Sequence, residues 1–65
     1  MPSSVIRKFE YDPQAHKLAV TFVSGKSYTY LGVPEDVAQD FRRAFSKGEF
    51  FNEAIRDHYP FERLR

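Results

Sequence analysis

Alternating apolar and polar positions run through the first part of the chain and predict β-strands. In the first strand, over residues 5–11, the alternation puts Phe9 and Tyr11 on one face. Val5 and Ile6 are both apolar, so the facing at the start of this strand stays open.

Two further strands follow a turn at residues 12–14, where proline presets φ and aspartate can bond its own backbone. The second strand, at 18–23, has three alternating apolar residues on one face: Leu18, Val20 and Phe22. A hairpin turn at 24–26 leads to the third strand at 27–31. Since the connections are short, the three strands are predicted to form an antiparallel meander.

From Gly32 onward the apolar spacing becomes helical. Pro34 is predicted at the first helical position, where its missing N–H is no loss. The apolar stripe of this first helix consists of Val37, Ala38, Phe41, Ala44 and Phe45. Residues 46–49 separate it from a second helix. They can be read as a glycine stop for the first helix or as a Ser/Glu capping box for the second.

The second helix is predicted to carry an apolar face made of Phe50, Phe51, Ala54, Ile55, His58 and Tyr59. Pro60 ends it, and the residues beyond form a short tail. Two amphipathic helices can cover the apolar face of a three-stranded sheet. The predicted fold is therefore α+β, a three-stranded antiparallel β-meander followed by two α-helices packed on one face. We expect a single core that includes Phe22, Phe41, Phe45, Phe51 and Ile55.

Length and composition limit the chain to one domain. With 65 residues, we expect a disordered lead at 1–4, the domain at 5–63 and a tail at 64–65. The absence of cysteine leaves packing, by seven Phe and four Tyr, to hold the fold. No apolar run approaches the ~18–20 residues of a membrane span, and no charged leader opens the chain. We therefore expect a cytoplasmic protein with no membrane partner.

Charge and candidate chemistry argue against catalysis and against strong phosphate binding. Ten basic residues nearly cancel nine acidic ones, and the pI of 8.1 lies below the value of about 9 typical of nucleic-acid domains. Neither His16 nor His58 has a second histidine three or four residues away, so the helical metal-ligand spacing is absent. We expect no enzyme activity, cofactor or metal, and interpret His58 as a packed residue of the second helix.

Tyr28 and Tyr30 project from the same face of the third strand, because side chains alternate along a strand. Two interpretations stay open: a stacking platform for nucleobases, or rings buried against the helices. The structural interpretation is favoured, since a domain this small can hardly leave many aromatic rings unburied. A tyrosine can also pack with its ring while its hydroxyl forms hydrogen bonds.

A second candidate group lies on the second helix, where Asn52, Arg56 and Tyr59 adjoin one another at i, i+4 and i+7. Asparagine is a mediocre helix former, so its presence needs a reason. Either Asn52 ties the helix to the sheet or a loop, or it forms with Arg56 a polar site for phosphate or a base edge. The structural tie is favoured.

These groups belong to a run of motifs that extends to Tyr59. Its earlier blocks are Gly25-Lys26-Ser27-Tyr28-Thr29-Tyr30, Val33-Pro34, Ser46-Lys47-Gly48-Glu49-Phe50-Phe51-Asn52 and Ile55-Arg56. In this order the blocks resemble the KTSC domain, a module named after the carboxyl-terminal extension of some lysyl-tRNA synthetases and found also as small stand-alone bacterial-type proteins. The resemblance covers the chain from Ile6 to about Arg63.

The resemblance implies a small non-catalytic module that binds RNA weakly, with tRNA or another structured RNA as the partner. The candidate contacts are Lys26, Tyr28, Tyr30, Lys47, Asn52, Arg56 and Tyr59. The alternative is a protein-interaction or homo-oligomerisation module with no nucleic-acid role, using an exposed sheet edge or a leftover apolar surface. Convergence of Lys26, Lys47 and Arg56 on one face would favour RNA.

Overall fold

The computed structural model describes residues 5–63, so the lead expected at 1–4 and the tail expected at 64–65 lie outside the described residues. Its strands form one antiparallel sheet in the order β1-β2-β3-β4. Their bounds are Ile6–Asp12 for β1, Lys17–Phe22 for β2, Ser27–Leu31 for β3 and Phe61–Arg63 for β4. The predicted α+β class and β-meander are confirmed, and the fourth strand is an addition to them.

A β-bulge at the start of β1 decides which residues face the core. The register of β1 against β2 shifts between Ile6 and Lys8. An extra residue at this point reverses the alternation, so Ile6 shares the inner face with Phe9 and Tyr11. Val5 is left exposed. The inserted residue therefore decides that Ile6, and not Val5, faces the core at the start of β1.

Hydrogen bonds close the two hairpins between the first three strands. Asp12 Oδ1 accepts from the Gln14 N–H at 3.0 Å, which confirms the predicted turn. The second hairpin turns at Gly25, whose φ of 95° favours glycine. The Gly25 N–H donates to the Phe22 carbonyl at 2.8 Å.

The link into the first helix is tied to β1 by the Tyr11 hydroxyl, which donates to the Val33 carbonyl at 2.6 Å. Helix α1 then runs over Glu35–Arg43. Pro34 is its N-cap with a ψ of 156°, one residue before the first helical position at which it was predicted. The helix stops where Ala44 turns to an extended conformation with a ψ of 135°.

The second helix begins at Ser46, whose Oγ accepts from the Glu49 N–H at 3.3 Å. Helix α2 runs over Lys47–Phe50, and Gly48 is buried inside it. The capping interpretation of this segment is therefore right, and the glycine-stop interpretation is wrong.

α2 continues directly into one π-helical turn at Phe51–Ile55. The Arg56 N–H closes this turn by donating to the Phe51 carbonyl at 2.7 Å. Arg56 is itself extended and Asp57 has a φ of 67°, so the helix ends earlier than predicted. His58 is exposed in the turn that follows, and its interpretation as a packed helical residue is wrong.

After this turn the chain returns to the sheet as β4, where a tail was expected. Phe61 lies opposite Tyr30 in the antiparallel pair of β4 with β3. The Leu31 N–H donates to the Pro60 carbonyl at 2.9 Å and so extends the pairing by one bond. All three residues of β4 are exposed, so backbone pairing holds most of this edge strand in place.

Both helices pack on one face of the sheet and share a single core. Its buried members are Leu18, Val20, Tyr30, Val33, Phe41, Phe51 and Ile55. Of the predicted core residues, Phe41, Phe51 and Ile55 are confirmed. Phe22 is half-buried against them. The prediction for Phe45 is wrong, since its side chain is 103% exposed; α1 stops before it and the apolar stripe is not continued.

Phe41→Ala and Phe45→Ala form a matched pair of aromatic truncations. Phe41 is fully buried with its ring centroid 4.4 Å from that of Phe9. Its truncation should cost about 3–5 kcal/mol, most of the stability of so small a domain. Phe45→Ala should leave the free energy of unfolding within about 0.5 kcal/mol of the parent. Urea unfolding followed by circular dichroism measures both, and a Phe41→Ala variant as stable as Phe45→Ala would contradict the packing described.

Candidate functional site

An open pocket of about 650 Å³ lies where the β2–β3 hairpin, α2 with its π-helical turn, and β4 meet. We refer to it as the aromatic pocket, because four aromatic side chains besides Tyr30 contribute to its wall. The residues that line it are Val5, Phe22, Val23, Ser24, Lys26, Tyr28, Tyr30, Gly48, Phe51, Asn52, Arg56, Asp57 and Phe61.

Most of the candidate binding residues named from the sequence lie together in this pocket. They are Lys26, Tyr28, Tyr30, Asn52 and Arg56. They come from the β2–β3 hairpin and from the π-helical turn with its C-cap, elements far apart in the chain. The structure therefore brings five of the seven residues together, and their role in binding stays a prediction.

Lys47 and Tyr59 are the two candidates that the structure places elsewhere. Lys47 Nζ donates to the carbonyls of Ala44 at 2.8 Å and Arg42 at 3.0 Å, and so binds the carboxyl end of α1. Tyr59 is half-buried against the core. Of the three cations whose convergence was expected to favour RNA, two line the pocket and Lys47 does not.

The aromatic wall is a network of edge-on and tilted ring contacts. The Tyr28 ring centroid lies 5.8 Å from that of Phe22 and 5.3 Å from that of Phe61. The Tyr30 ring is 5.3 Å from Phe51 and 5.5 Å from Phe61. Tyr30 is only 5% exposed, so the structural interpretation holds for its ring, whereas Tyr28 is half-buried and Phe61 is 56% exposed. The pocket therefore has a buried aromatic floor and a partly open aromatic rim.

The Tyr30 hydroxyl reaches this pocket although the ring is buried. Within residues 5–63 it makes no hydrogen bond, and every fully buried side-chain oxygen or nitrogen there has a partner. The hydroxyl must therefore touch solvent, on the side that lines the pocket. Burial raises the pKa of Tyr30 above 10.0; the neighbouring Tyr28 and Asp57 raise it further, and Arg56 lowers it. The hydroxyl is neutral at physiological pH and available as a donor.

The charged side chains of the pocket do not form ion pairs with one another. Lys26, Arg56 and Asp57 make no ion pair with any residue in the described range. Arg56 Nη1 donates to Asn52 Oδ1 at 3.5 Å, the long limit of a hydrogen bond, and both side chains are exposed. Within residues 5–63 the Asn52 side chain forms no hydrogen bond to the sheet or to a loop, so the favoured structural tie is wrong. Both cations are free to meet an anion.

Two unusual backbone features coincide at the same wall. The π-helical turn at Phe51–Ile55 supplies Asn52 and presents Arg56 at its end. π-helical turns inside helices are rare and frequent at functional sites. Asp57, the next residue, has a φ of 67°, a left-handed conformation that aspartate adopts more readily than most non-glycine residues. The chain therefore departs from regular geometry where the pocket forms.

Phe61 and Asp57 are among the pocket residues that the sequence did not indicate as a site. No sequence pattern indicates Asp57 as a site residue, because it reaches the pocket only through the place at which the second helix ends. Phe61 is an apolar residue directly after a proline, a pattern that predicts only a tail able to pack.

Comparison with known proteins places this chain in a family. Residues 2–59 match the sequence profile of the KTSC domain. This chain belongs to the KTSC domain family. The match contains the five pocket residues named from the sequence and ends before β4, so the wall formed by Phe61 lies beyond it.

Individual relatives of this KTSC domain are both short proteins and parts of a long enzyme. A lysine–tRNA ligase of Nostoc punctiforme is 41% identical over 61 residues, which are 94% of this chain and 11% of the ligase. An uncharacterized protein of Stutzerimonas stutzeri is 38% identical over 65 residues, 98% of this chain and 92% of its own length. The chain thus spans about a tenth of the lysine–tRNA ligases it matches.

A solved structure shares the whole fold. The crystal structure of a KTSC domain protein from Yersinia pestis superposes with a TM-score of 0.93 at 37% identity. The alignment covers 100% of this chain and 92% of the other. The resemblance noted in the motifs is therefore confirmed. Residues 5–63 contain no cluster of metal-ligating side chains, and no helix among them is long and apolar enough to cross a membrane.

Tyr30→Phe tests the position of the Tyr30 hydroxyl. Because folding raises its pKa, the neutral hydroxyl contributes stability that is present below pH 10.0 and lost as pH rises through the raised value. The variant should match the parent at neutral pH, where no hydrogen bond is removed, and lose less stability at about pH 11. Urea unfolding at both pH values measures this. If the variant and the parent lose the same stability at alkaline pH, the Tyr30 hydroxyl is in an environment like water and the prediction is wrong.

Proposed function

We propose that this KTSC domain is a non-catalytic module that binds RNA weakly through the aromatic pocket, with tRNA as the first candidate. The observation that carries the proposal is the meeting of partly open aromatic rings in one pocket with two cations, Lys26 and Arg56, that form no ion pair within residues 5–63. The similarity to a region of lysine–tRNA ligases supports tRNA as the class of partner. Such a partner would place the protein in the cytoplasm.

The physical chemistry of RNA matches both features of the pocket. A base that stacks on an aromatic side chain contributes about 1–3 kcal/mol, whatever its sequence. Tyr28 and Phe61 offer such rings at the rim. The Arg56 guanidinium presents a planar fork of donors suited to phosphate oxygens, and the Asn52 amide one turn earlier can add a contact.

The same charges predict that binding is weak and moderately dependent on salt. Two cations at about 0.7 per phosphate give a log–log salt slope of about −1.4 on single-stranded RNA. If all three candidate cations converged, the salt slope would be about −2. Lys47 is not counted because its ammonium group binds the carboxyl end of α1. A formal net charge of +1 adds little long-range attraction.

Protein interaction or self-association is the second candidate function, and exposed apolar side chains favour it. Val5, Val23 and Phe61 are 44%, 61% and 56% exposed, and all three line the aromatic pocket. Phe45 stands fully exposed on the link between α1 and α2. A partner protein would bury such a rim and would need no cation.

Arg56→Ala and Arg43→Ala distinguish the two functions. Both arginines are exposed and lie at helix ends, but Arg43 lies on α1 outside the aromatic pocket. Arg56→Ala keeps the backbone bond to Phe51, so its melting temperature should stay near that of the parent. It should weaken tRNA binding and flatten the salt slope by about 0.7, whereas Arg43→Ala should change neither.

Titration of bulk tRNA by fluorescence anisotropy at two salt concentrations provides the measurement. If the parent does not bind tRNA at low salt, the RNA-binding function is rejected in favour of protein interaction. An Arg56→Ala variant that unfolds would show that Arg56 is a structural residue. Equal losses in both variants would indicate non-specific attraction to phosphate.

A further inference from the structure

We infer that the aromatic pocket takes one unpaired ribonucleotide, so that the domain recognises single-stranded ends or loops of an RNA and not its helical stems. This inference rests on the proposed function and names the part of the RNA that the site accepts. It follows from the size of the pocket, the angle between its rings and the kinds of polar group in its wall.

The size of the pocket suits one nucleotide. Its volume of about 650 Å³ lies in the range of about 300–1,000 Å³ found for small-ligand sites. The domain itself measures 30 × 26 × 18 Å, so a duplex can contact its surface but cannot enter a pocket of this volume. In an A-form helix the faces of the bases are covered by their neighbours in the stack. Only an unpaired base can present a face to the rings of the rim.

The angle between the rim rings constrains how a base can stack there. The rings of Tyr28 and Phe61 meet at 84° with centroids 5.3 Å apart. A flat base can stack on one of these rings and meet the other only with its edge, since it cannot be parallel to both. Pairing of β4 with β3 holds the two rings in this arrangement. A base that stacks at the rim therefore meets one ring with its face and the other with its edge.

The polar wall matches the remaining parts of a ribonucleotide. Lys26 and Arg56, which form no ion pair within residues 5–63, can meet a phosphate, whereas the exposed Asp57 carboxylate repels phosphate and can accept a hydrogen bond from a donor. The ribose 2′-hydroxyl is such a donor, and it is the group by which a protein distinguishes RNA from DNA. A ligand with an anion, a hydroxyl donor and a flat ring satisfies all three kinds of group. A deoxyribonucleotide lacks the hydroxyl that would donate to Asp57.

Competition against labelled tRNA tests the inference with matched nucleic acids. The competitors are a blunt RNA duplex, the same duplex with a single-stranded 3′ extension of about four nucleotides, and that duplex with the extension made of deoxynucleotides. The RNA extension should improve competition at least about fivefold over the blunt duplex. The deoxynucleotide extension should compete less well than the RNA extension.

Three variants connect these differences to the pocket. Phe61→Ala removes an exposed rim ring and should abolish the advantage of the extension, whereas Phe45→Ala removes an exposed ring outside the pocket and should preserve it. Asp57→Gly removes the carboxylate at a φ that suits glycine, so it should fold and lose the preference for RNA over DNA. Melting curves of all three verify the fold.

Several results would overturn the inference. Equal competition by the blunt and extended duplexes would refute it while leaving RNA binding itself established, and absence of any tRNA binding would remove both proposals. An advantage of the extension that survives Phe61→Ala would place the unpaired nucleotide outside the pocket. A preference for RNA that survives Asp57→Gly would refute the assignment of the 2′-hydroxyl to Asp57.

Discussion

The packing of the Phe51 ring against the sheet is the interaction on which the rest of the structure depends. Its centroid lies 5.3 Å from the rings of both Phe22 and Tyr30, at 79° to each, and the side chain is 5% exposed. The same residue begins the π-helical turn, and its carbonyl accepts the Arg56 N–H. One side chain thus fixes the second helix on the sheet, supplies the floor of the aromatic pocket and sets where Arg56 leaves the helix.

The aromatic residues are divided between a closed and an open end of the same core. At the closed end Phe41 is fully buried against Phe9 and Phe50, with centroids at 4.4 Å and 5.7 Å. At the open end Tyr28 is half-buried and Phe61 is 56% exposed, with their ring centroids 5.3 Å apart. A domain of this size needs most of its rings for stability. It can leave a rim open because the backbone pairing of β4 holds that rim without a buried side chain.

The unusual backbone at the pocket has a physical explanation in the route of the chain. After Ile55 the chain must reverse to reach the free edge of β3, and a regular helix would carry it away from the sheet. The widened turn and the positive φ of Asp57 achieve the reversal within a few residues. They also leave Asn52, Arg56 and Asp57 with their side chains around one opening. The irregular backbone and the aromatic pocket therefore have the same cause, which is the return of the chain to form β4.

Local chemistry by itself determined the strands and turns of this KTSC domain, because alternation and the Asp12 turn need no distant partner. It also singled out Tyr28 and Arg56, and the resemblance to the family added Lys26; the fold brings all three into one pocket. Only tertiary structure decided the remainder. β4 has three exposed residues and no alternation to detect, so it exists only because the edge of β3 pairs with it. The facing of Ile6 likewise depends on the pairing of β1 with β2, which no local pattern contains.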